Sequence, residues 1–234
     1  MTPRPRTGLH VLVMAKSPRP GRVKTRLCPP CTPEQAATVA AAALADTLEA
    51  VARCGAARRV VALDGPPGPW LPPGFDVIPQ RGSGFDRRLA NAWADTGGAG
   101  IQLGMDTPQV TPAELDGLLA DIDGGPRHRA VLGHAVDGGW WVIGWRRADP
   151  RAVFHGVPMS AATTGAAQQQ RLRDLGYDVA RARPMRDIDT VADLSAVTRA
   201  APHLSTSRLA RRLLPGVSPV SPGAHRPLPD GAVA

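Results

Sequence analysis

The sequence predicts an α/β protein: a single domain of three layers, α/β/α, built on a mostly parallel sheet. Short apolar runs alternate with helical segments over the first two hundred residues, the pattern of strands and crossover helices. The loops that follow those runs carry the reactive residue types, as at the carboxyl edge of an open α/β sheet. At 234 residues the chain fits one such domain plus a tail better than two domains. The expected boundaries are a flexible N-terminus over 1–8, the domain over 9–201, and a Pro/Ser-rich, disordered tail over 202–234.

Each element has a local justification. His10 to Ala15 reads as a buried first strand. Thr32 with Gln35 forms a capping-box pattern, Pro33 suits the first helical turn, and the Ala-rich helix runs to Cys54 with Gly55 as its stop. Arg59 to Leu63 and Phe75 to Pro79 are the next strands, across a Pro/Gly-rich loop, and Phe85 to Asp95 is a helix. Gly100 to Leu103 is a strand, and Thr111 with Glu114 caps the helix after it. Ala130 to Gly133 and Trp140 to Trp145 form two strands turned by Asp137-Gly-Gly139. Thr164 to Leu175 is a helix, Val179 to Ala182 a late strand, and Thr190 with Asp193 caps a last helix that ends near Ala201. Within the tail only Leu209 to Leu214 offers an apolar face, too short to hold a helix alone.

The formal charge is +8. Arg208, Arg211, Arg212 and Arg226 against Asp230 put three of those charges in the tail, Arg4 and Arg6 add two, and three remain for the core. So small a surplus, with few aromatic residues and no basic stripe, argues against nucleic acid as a partner and for a small anionic ligand. The apolar run from Leu9 to Ala15 is short and lacks a cleavage site, and no stretch approaches a membrane span, so a soluble cytoplasmic protein is expected. Nothing in the sequence sets the oligomeric state.

The most informative feature is the placement of lysine. The chain writes nearly all its basic charge as Arg, yet its two lysines, Lys16 and Lys24, fall in one loop, Lys16-Ser-Pro-Arg-Pro-Gly21-Arg-Val-Lys24-Thr-Arg26. Compact ammonium groups beside an Arg suit phosphate oxygens. Asp106, at the end of the Gly100 strand, is a natural magnesium ligand, since that ion is held by one or two carboxylates plus substrate phosphates. Asp187 and Asp189 are the candidates for a second carboxylate.

Other motifs fail on inspection. Gly21-Arg-Val-Lys24-Thr25 lacks the Gly before Lys of a Walker A loop, and Gly82-Ser-Gly84 lacks the third Gly of a dinucleotide fingerprint. Cys28-Pro-Pro-Cys31 has neither further zinc ligands at suitable spacing nor the strand-to-helix position of a redox pair. His128, His134 and His155 are scattered.

The motifs Val13-Met-Ala15-Lys16, Gly21-Arg-Val-Lys24-Thr-Arg26-Leu27, Gly104-Met-Asp106-Thr-Pro108, Asp137-Gly138-Gly139 and Asp187-Ile-Asp189-Thr190 occur in one order over four-fifths of the chain. Their combination resembles the glycosyltransferase-A-like family related to 2-phospholactate guanylyltransferase. The resemblance implies a nucleotide-diphospho-sugar transferase type of fold. It implies that Lys16, Lys24 and Arg26 meet a nucleotide's phosphates, that Ala15 and Gly21 also belong to the nucleotide site, and that Gln80, Gly82 and Arg87 lie beside the base. It also implies that Asp106 holds a divalent metal, Mg2+ or Mn2+, for which Asp189 is the expected second ligand, and Asp137, Gly138, Gly139 and Ser160 are expected on the acceptor side. Where the family has a small hydroxyl residue, a Pro and a Trp, this chain has Met105, His134 and Met159; the last two fall on the acceptor side.

The expected activity is metal-dependent nucleotidyl transfer. A nucleoside monophosphate would pass from a triphosphate to a small anionic acceptor with release of pyrophosphate, and Lys16, Lys24, Arg26 and Asp106 would be the catalytic set. A glycosyltransferase using a nucleotide-sugar would need the same cations and metal at a departing diphosphate. A non-catalytic nucleotide-binding protein is the third reading.

Overall fold

The structure is a computed structural model that describes residues 6–214. Seven strands form one sheet in the order β3-β2-β1-β4-β6-β5-β7. They are β1 (Arg6–Lys16), β2 (Ala56–Asp64), β3 (Asp76–Pro79), β4 (Ala99–Gly104), β5 (Arg129–Ala135), β6 (Trp140–Trp145) and β7 (Asp178–Met185). All pairings are parallel except the two made by β6, which runs against β4 and β5. The mostly parallel sheet expected from the sequence is therefore present. Its one reversal follows from the tight Asp137-Gly-Gly139 turn, because a turn that short can join only antiparallel strands.

Helices cover both faces, giving the three layers. On one face lie α1 (Pro33–Arg53), α3 (Pro112–Gly124), α6 (Val191–Ala200) and α7 (Ser205–Leu213); on the other lie α2 (Phe85–Thr96), α4 (Pro150–Phe154) and α5 (Thr164–Asp174). Strand β1 shows the division. Val11, Val13 and Ala15 pack toward α1 and α3, whereas Leu12 and Met14 pack toward α2, whose Trp93 stacks on Trp145. Alternate residues of a central strand must serve opposite layers, so β1 reads as a continuous apolar run. The three predicted capping boxes all form, at Thr32, Thr111 and Thr190.

The expected boundaries need correction at both ends. Strand β1 begins at Arg6, so residues 6–8 of the expected flexible N-terminus belong to the sheet; residues 1–5 lie outside the described residues. The expected disordered tail over 202–234 contains α7, which packs on α1 and α6 with Ala210 fully buried; residues 215–234 lie outside the described residues. Leu204 occupies the N-cap position of α7 and has no side-chain oxygen to offer. Asp46 of α1 supplies it, accepting from Ser205 N (3.1 Å), Thr206 N (2.8 Å) and Thr206 Oγ1 (2.7 Å). An isolated nine-residue helix is marginal in water, and this one is held by a carboxylate remote in sequence. Among the described residues no helix is long and apolar enough to cross a membrane.

Candidate active site

The carboxyl ends of β1 and β4 lie side by side, with Met14 in register with Gly104. The loop after β1 carries the lysines. It closes with a 3-10 turn, Thr25–Leu27, whose preceding residue Lys24 takes a left-handed backbone (φ 48°). Two apolar pins hold this loop. Val23 packs with Ala37, Ala40 and Met105, and Leu27 is buried with Cys31, Ala36, Val39, Ile188 and Leu194. Because Leu27 and Ile188 share one cluster, the residues beside them, Arg26 and Asp189, are brought face to face. Backbone bonding ties the strand ends together as well: Ile188 N donates to Asp106 O at 3.0 Å and Val136 N to Met185 O at 2.9 Å.

The result is a five-residue charge cluster. Lys24 Nζ lies 2.6 Å from Asp106 Oδ2 and 3.0 Å from Asp189 Oδ1, and an Arg26 guanidinium nitrogen lies 2.5 Å from Asp189 Oδ2. The Lys24 side chain is only 9% exposed, so these are partly desolvated pairs rather than surface ones. Burial pulls the Lys24 ammonium toward its neutral form, but the charges and hydrogen bonds of Asp106 and Asp189 outweigh burial and raise its pKa above the ordinary lysine value. Asp187 shows the opposite balance. Burial, then the charges of Asp106 and Asp137, push its carboxyl up to about 8, and its Oδ1 has no hydrogen-bond partner.

Two cavities meet at this cluster, sharing Arg26, Asp106 and Asp189. The smaller, about 270 Å³, is cationic and is lined by Lys16, Arg22, Lys24 and Arg26. The larger, about 470 Å³, has an apolar wall of Met14, Phe85, Leu89, Trp140 and Met159 and an acidic floor of Asp106, Asp137, Asp187 and Asp189.

The structure thus brings together Lys16, Lys24, Arg26, Asp106 and Asp189, and it places Asp137, Gly139 and Ser160 on the larger cavity. Gly138 lies behind that wall, at φ +91° with its Cα facing Ala162; a Cβ there would stand 2.0 Å from Ala162 O, so only glycine fits. Gly21 turns the loop at φ +70° and lines neither cavity. Gln80 sits beside Ala15, but its side-chain amide is occupied, donating to Ala15 O and Ala62 O. Gly82 and Arg87 are not brought into either cavity; Arg87 lines a separate pocket with Arg151 and His155. The base-side expectation therefore finds only Gln80 near the strand ends. Phe85, Trp140 and Arg22 are site residues that sequence reasoning passed over. Phe85 is 41% exposed despite its size, and its place after Gly84 at a helix start is the one signal of it that the sequence carries.

The carboxylates fit a divalent cation in part. Among the described residues no group of three or more His, Cys, Asp or Glu side chains is arranged to hold a metal. Asp106 and Asp189 nevertheless converge on one cationic position, filled by the Lys24 ammonium, with the unpartnered Asp187 oxygen close by. Two carboxylates and room for phosphate oxygens match the coordination habits of magnesium.

Sheet order and crossover helices define an α/β fold of the nucleotide-diphospho-sugar transferase type, and in open α/β sheets ligands bind outside the carboxyl ends of the strands. The chain belongs to the family described as "Uncharacterized protein conserved in bacteria (DUF2064)", whose profile matches residues 37–161. Among solved structures it is similar to a protein of Desulfovibrio desulfuricans G20, provisionally described as a nucleotide-diphospho-sugar transferase. The identity is 26% and the TM-score 0.76, over 87% of this chain and 94% of that one. The fold is shared with a cytidylyltransferase from Leptospira borgpetersenii serovar Hardjo-bovis (strain JB197), at 13% identity and TM-score 0.56 over 91% of this chain and 97% of that one. It is shared also with a nucleotidyl transferase from Methanothermobacter, at 15% identity and TM-score 0.51 over 82% and 96%. No curated protein matches the sequence.

Proposed function

We propose that the protein is a metal-dependent nucleotidyltransferase. The observation that carries this reading is the cationic cavity of Lys16, Arg22, Lys24 and Arg26, opening onto the carboxylates at the end of β4 and before α6. Lys16 and Arg22 have no acidic partner among the described residues, so they are free to take phosphate oxygens. Lys24 and Arg26 are paired to carboxylates and would have to be shared between those and the phosphates. A divalent cation on Asp106 and Asp189 would neutralise phosphate charge there. The protein's own contribution is positioning and electrostatic stabilisation, which is what phosphoryl chemistry asks for in place of a nucleophilic side chain. The likeness of the motifs to 2-phospholactate guanylyltransferases favours nucleotidyl transfer, as do four cations for one polyphosphate.

The similarity to the Desulfovibrio protein supports a second reading, transfer of a sugar from a nucleotide-sugar, with the same cations at the departing diphosphate. One experiment separates the two. Binding and pyrophosphate release are measured with each nucleoside triphosphate, with and without magnesium, beside a panel of nucleotide-sugars, for the wild type, Asp106→Asn and Lys24→Ala. Magnesium-dependent triphosphate binding that is lost in Asp106→Asn, with turnover at least tenfold lower in Lys24→Ala, is the expected result. Unchanged pyrophosphate release in Lys24→Ala would remove the loop from the mechanism, and a preference for nucleotide-sugars would make the protein a glycosyltransferase.

A further inference from the structure

We infer that the larger cavity takes a neutral, hydroxyl-bearing acceptor, a polyol or sugar, and not the phosphate- or carboxylate-bearing acceptor that the motifs alone suggested. This rests on the nucleotide-transfer reading and concerns the acceptor side alone.

Charge is segregated across the shared cluster. Lys16, Arg22 and Lys24 line only the smaller cavity, and Arg26, the sole cation of the larger one, is already paired with Asp189. Against it stand Asp106, Asp137 and Asp189, with the Asp187 carboxyl beside them. Apart from a metal held between Asp106 and Asp189, which the nucleotide's phosphates would engage, an acceptor phosphate in that cavity would meet carboxylates and no side-chain cation free of a carboxylate.

Backbone donors bordering the cavity are committed in part. The start of α5 borders the cavity, but Thr164 N and Gly165 N already donate to Ala161 O and Gly138 O. Helix α2 begins beside Phe85 and carries its own acid, Asp86, in the first turn.

What the cavity does offer is carboxylate oxygens, the Ser160 hydroxyl, and a flat apolar wall of Phe85 and Trp140 with Met14 and Met159. Hydroxyl groups donate to carboxylates, and the C–H faces of a polyol pack against aromatic and thioether surface. A volume of about 470 Å³ suits a whole small molecule rather than an ion.

A neutral hydroxyl needs a proton acceptor when it attacks. Asp106 and Asp189 hold Lys24 and Arg26, and Asp187 is half-buried with its Oδ1 enclosed. Asp137 is exposed on the cavity; its Oδ1 is fixed by Gly139 N–H at 2.8 Å and its Oδ2 has no donor among the described residues. In the step so assigned, the acceptor oxygen bonds to the α-phosphorus while the bond from that phosphorus to the bridging oxygen breaks. Pyrophosphate leaves with that bond's electron pair, and the hydroxyl proton passes to Asp137 Oδ2 and on to water.

The test uses matched acceptors: glycerol and glycerol 3-phosphate, glucose and glucose 1-phosphate, myo-inositol and its monophosphate, with glucosamine beside glucose. Calorimetric binding is measured on the free and the triphosphate-loaded full chain, and pyrophosphate release on the latter. At least one neutral member should bind and turn over at least tenfold better than its phosphorylated partner. Asp137→Asn should lower kcat at least tenfold while leaving triphosphate affinity within twofold. Met159→Arg, checked for an unchanged melting temperature, should narrow the preference tenfold by adding a cation to the wall. A preference for the phosphorylated members or for glucosamine, no binding by any member, or an unmoved preference in Met159→Arg overturns the inference. Failure of the nucleotide reading looks different: no triphosphate is bound or consumed with any acceptor, while the binding preference on the free chain is still measured.

Discussion

The two faces of the sheet are stabilised in different ways, and each delivers a different half of the site. On the α1/α3 face the core beneath the sheet is apolar, and α1, α3 and α6 each begin with a complete capping box. On the α2/α5 face, His10 is buried against Trp93 and Gln102 is fully buried in β4, and neither α2 nor α5 has a side-chain cap. The cationic loop is pinned to the first face through Val23 and Leu27, whereas the larger cavity opens on the second, through Met14, Leu89 and Trp140. The cationic loop is thereby mounted on the half whose long helices carry complete capping boxes. The half that holds the larger cavity buries an imidazole and a carboxamide inside the sheet, and both side-chain polar atoms of Gln102 are without a partner among the described residues.

The largest way to break this contrast is to pull the pin. Leu27→Ala removes a fully buried side chain from the cluster that also holds Ile188. It should cost about 3 kcal/mol of stability, within the 2 to 5 typical of such truncations. Because the pin sets Arg26 against Asp189, the variant should also lose triphosphate affinity under conditions where it is still folded. Urea denaturation and calorimetry read the two effects separately. A stability loss with unchanged affinity would show that the loop holds its geometry without the cluster.

The second face has its own signature in pH. Burial, and then the charge of Arg58, lower the His10 pKa to about 4, against an ordinary value of 6.5. A group whose folded pKa is depressed contributes stability above the unfolded pKa and loses it as pH falls through the folded one. Between pH 6.5 and 4 the wild type should therefore lose about 3 kcal/mol relative to His10→Leu. Asp187 acts in the opposite sense, since its carboxyl pushed up to about 8 favours the folded state more as pH falls, but it is common to both proteins and cancels in the difference. Parallel unfolding curves for the two proteins across that window would mean that His10 is solvated.

Most of the scaffold was legible because its signals are local. Thr32, Thr111 and Thr190 announce three helices within four residues each, and the turn at Asp137-Gly-Gly139 dictates the antiparallel β6. The loop with both lysines was legible for its composition. What escaped depended on contacts between remote segments. The N-terminus of α7 is satisfied by Asp46, 160 positions away from Thr206 in the chain. Arg87, placed beside the base by motif position, faces another pocket because α2 rotates it away from the strand ends. Lys24 looked like a phosphate ligand, and nothing near it in sequence reveals that Asp106 and Asp189 converge on its ammonium. The acidic character of the larger cavity likewise comes from three separate loops, each unremarkable alone.

Next in size is the cap borrowed by α7. Asp46→Ala strips three hydrogen bonds from Ser205 and Thr206 and should cost about 1 to 2 kcal/mol, the upper range for losing an N-cap. Faster amide exchange confined to α7 and the facing turns of α1 would locate the loss. Exchange that rises evenly over the whole sheet would instead mean that α7 is integral to the cooperative core.

The smallest effect sharpens the difference in capping between the faces. Thr111 Oγ1 accepts from Glu114 N, and Thr111 N in turn donates to the Glu114 carboxylate, so Thr111→Ala should cost about 1 kcal/mol. Thr163 stands at the N-cap of α5 without a side-chain cap bond, and Thr163→Ala should stay within about 0.5 kcal/mol of the wild type. Midpoints of urea denaturation, compared at equal m-values, measure both. Gly165 N–H at the start of α5 is accepted by Gly138 O, so that helix is tied to the turn of the larger cavity by backbone instead of by a cap. Equal costs at the two threonines would mean that the cap on α3 adds nothing, and the contrast between the faces would then rest on their buried polar groups alone.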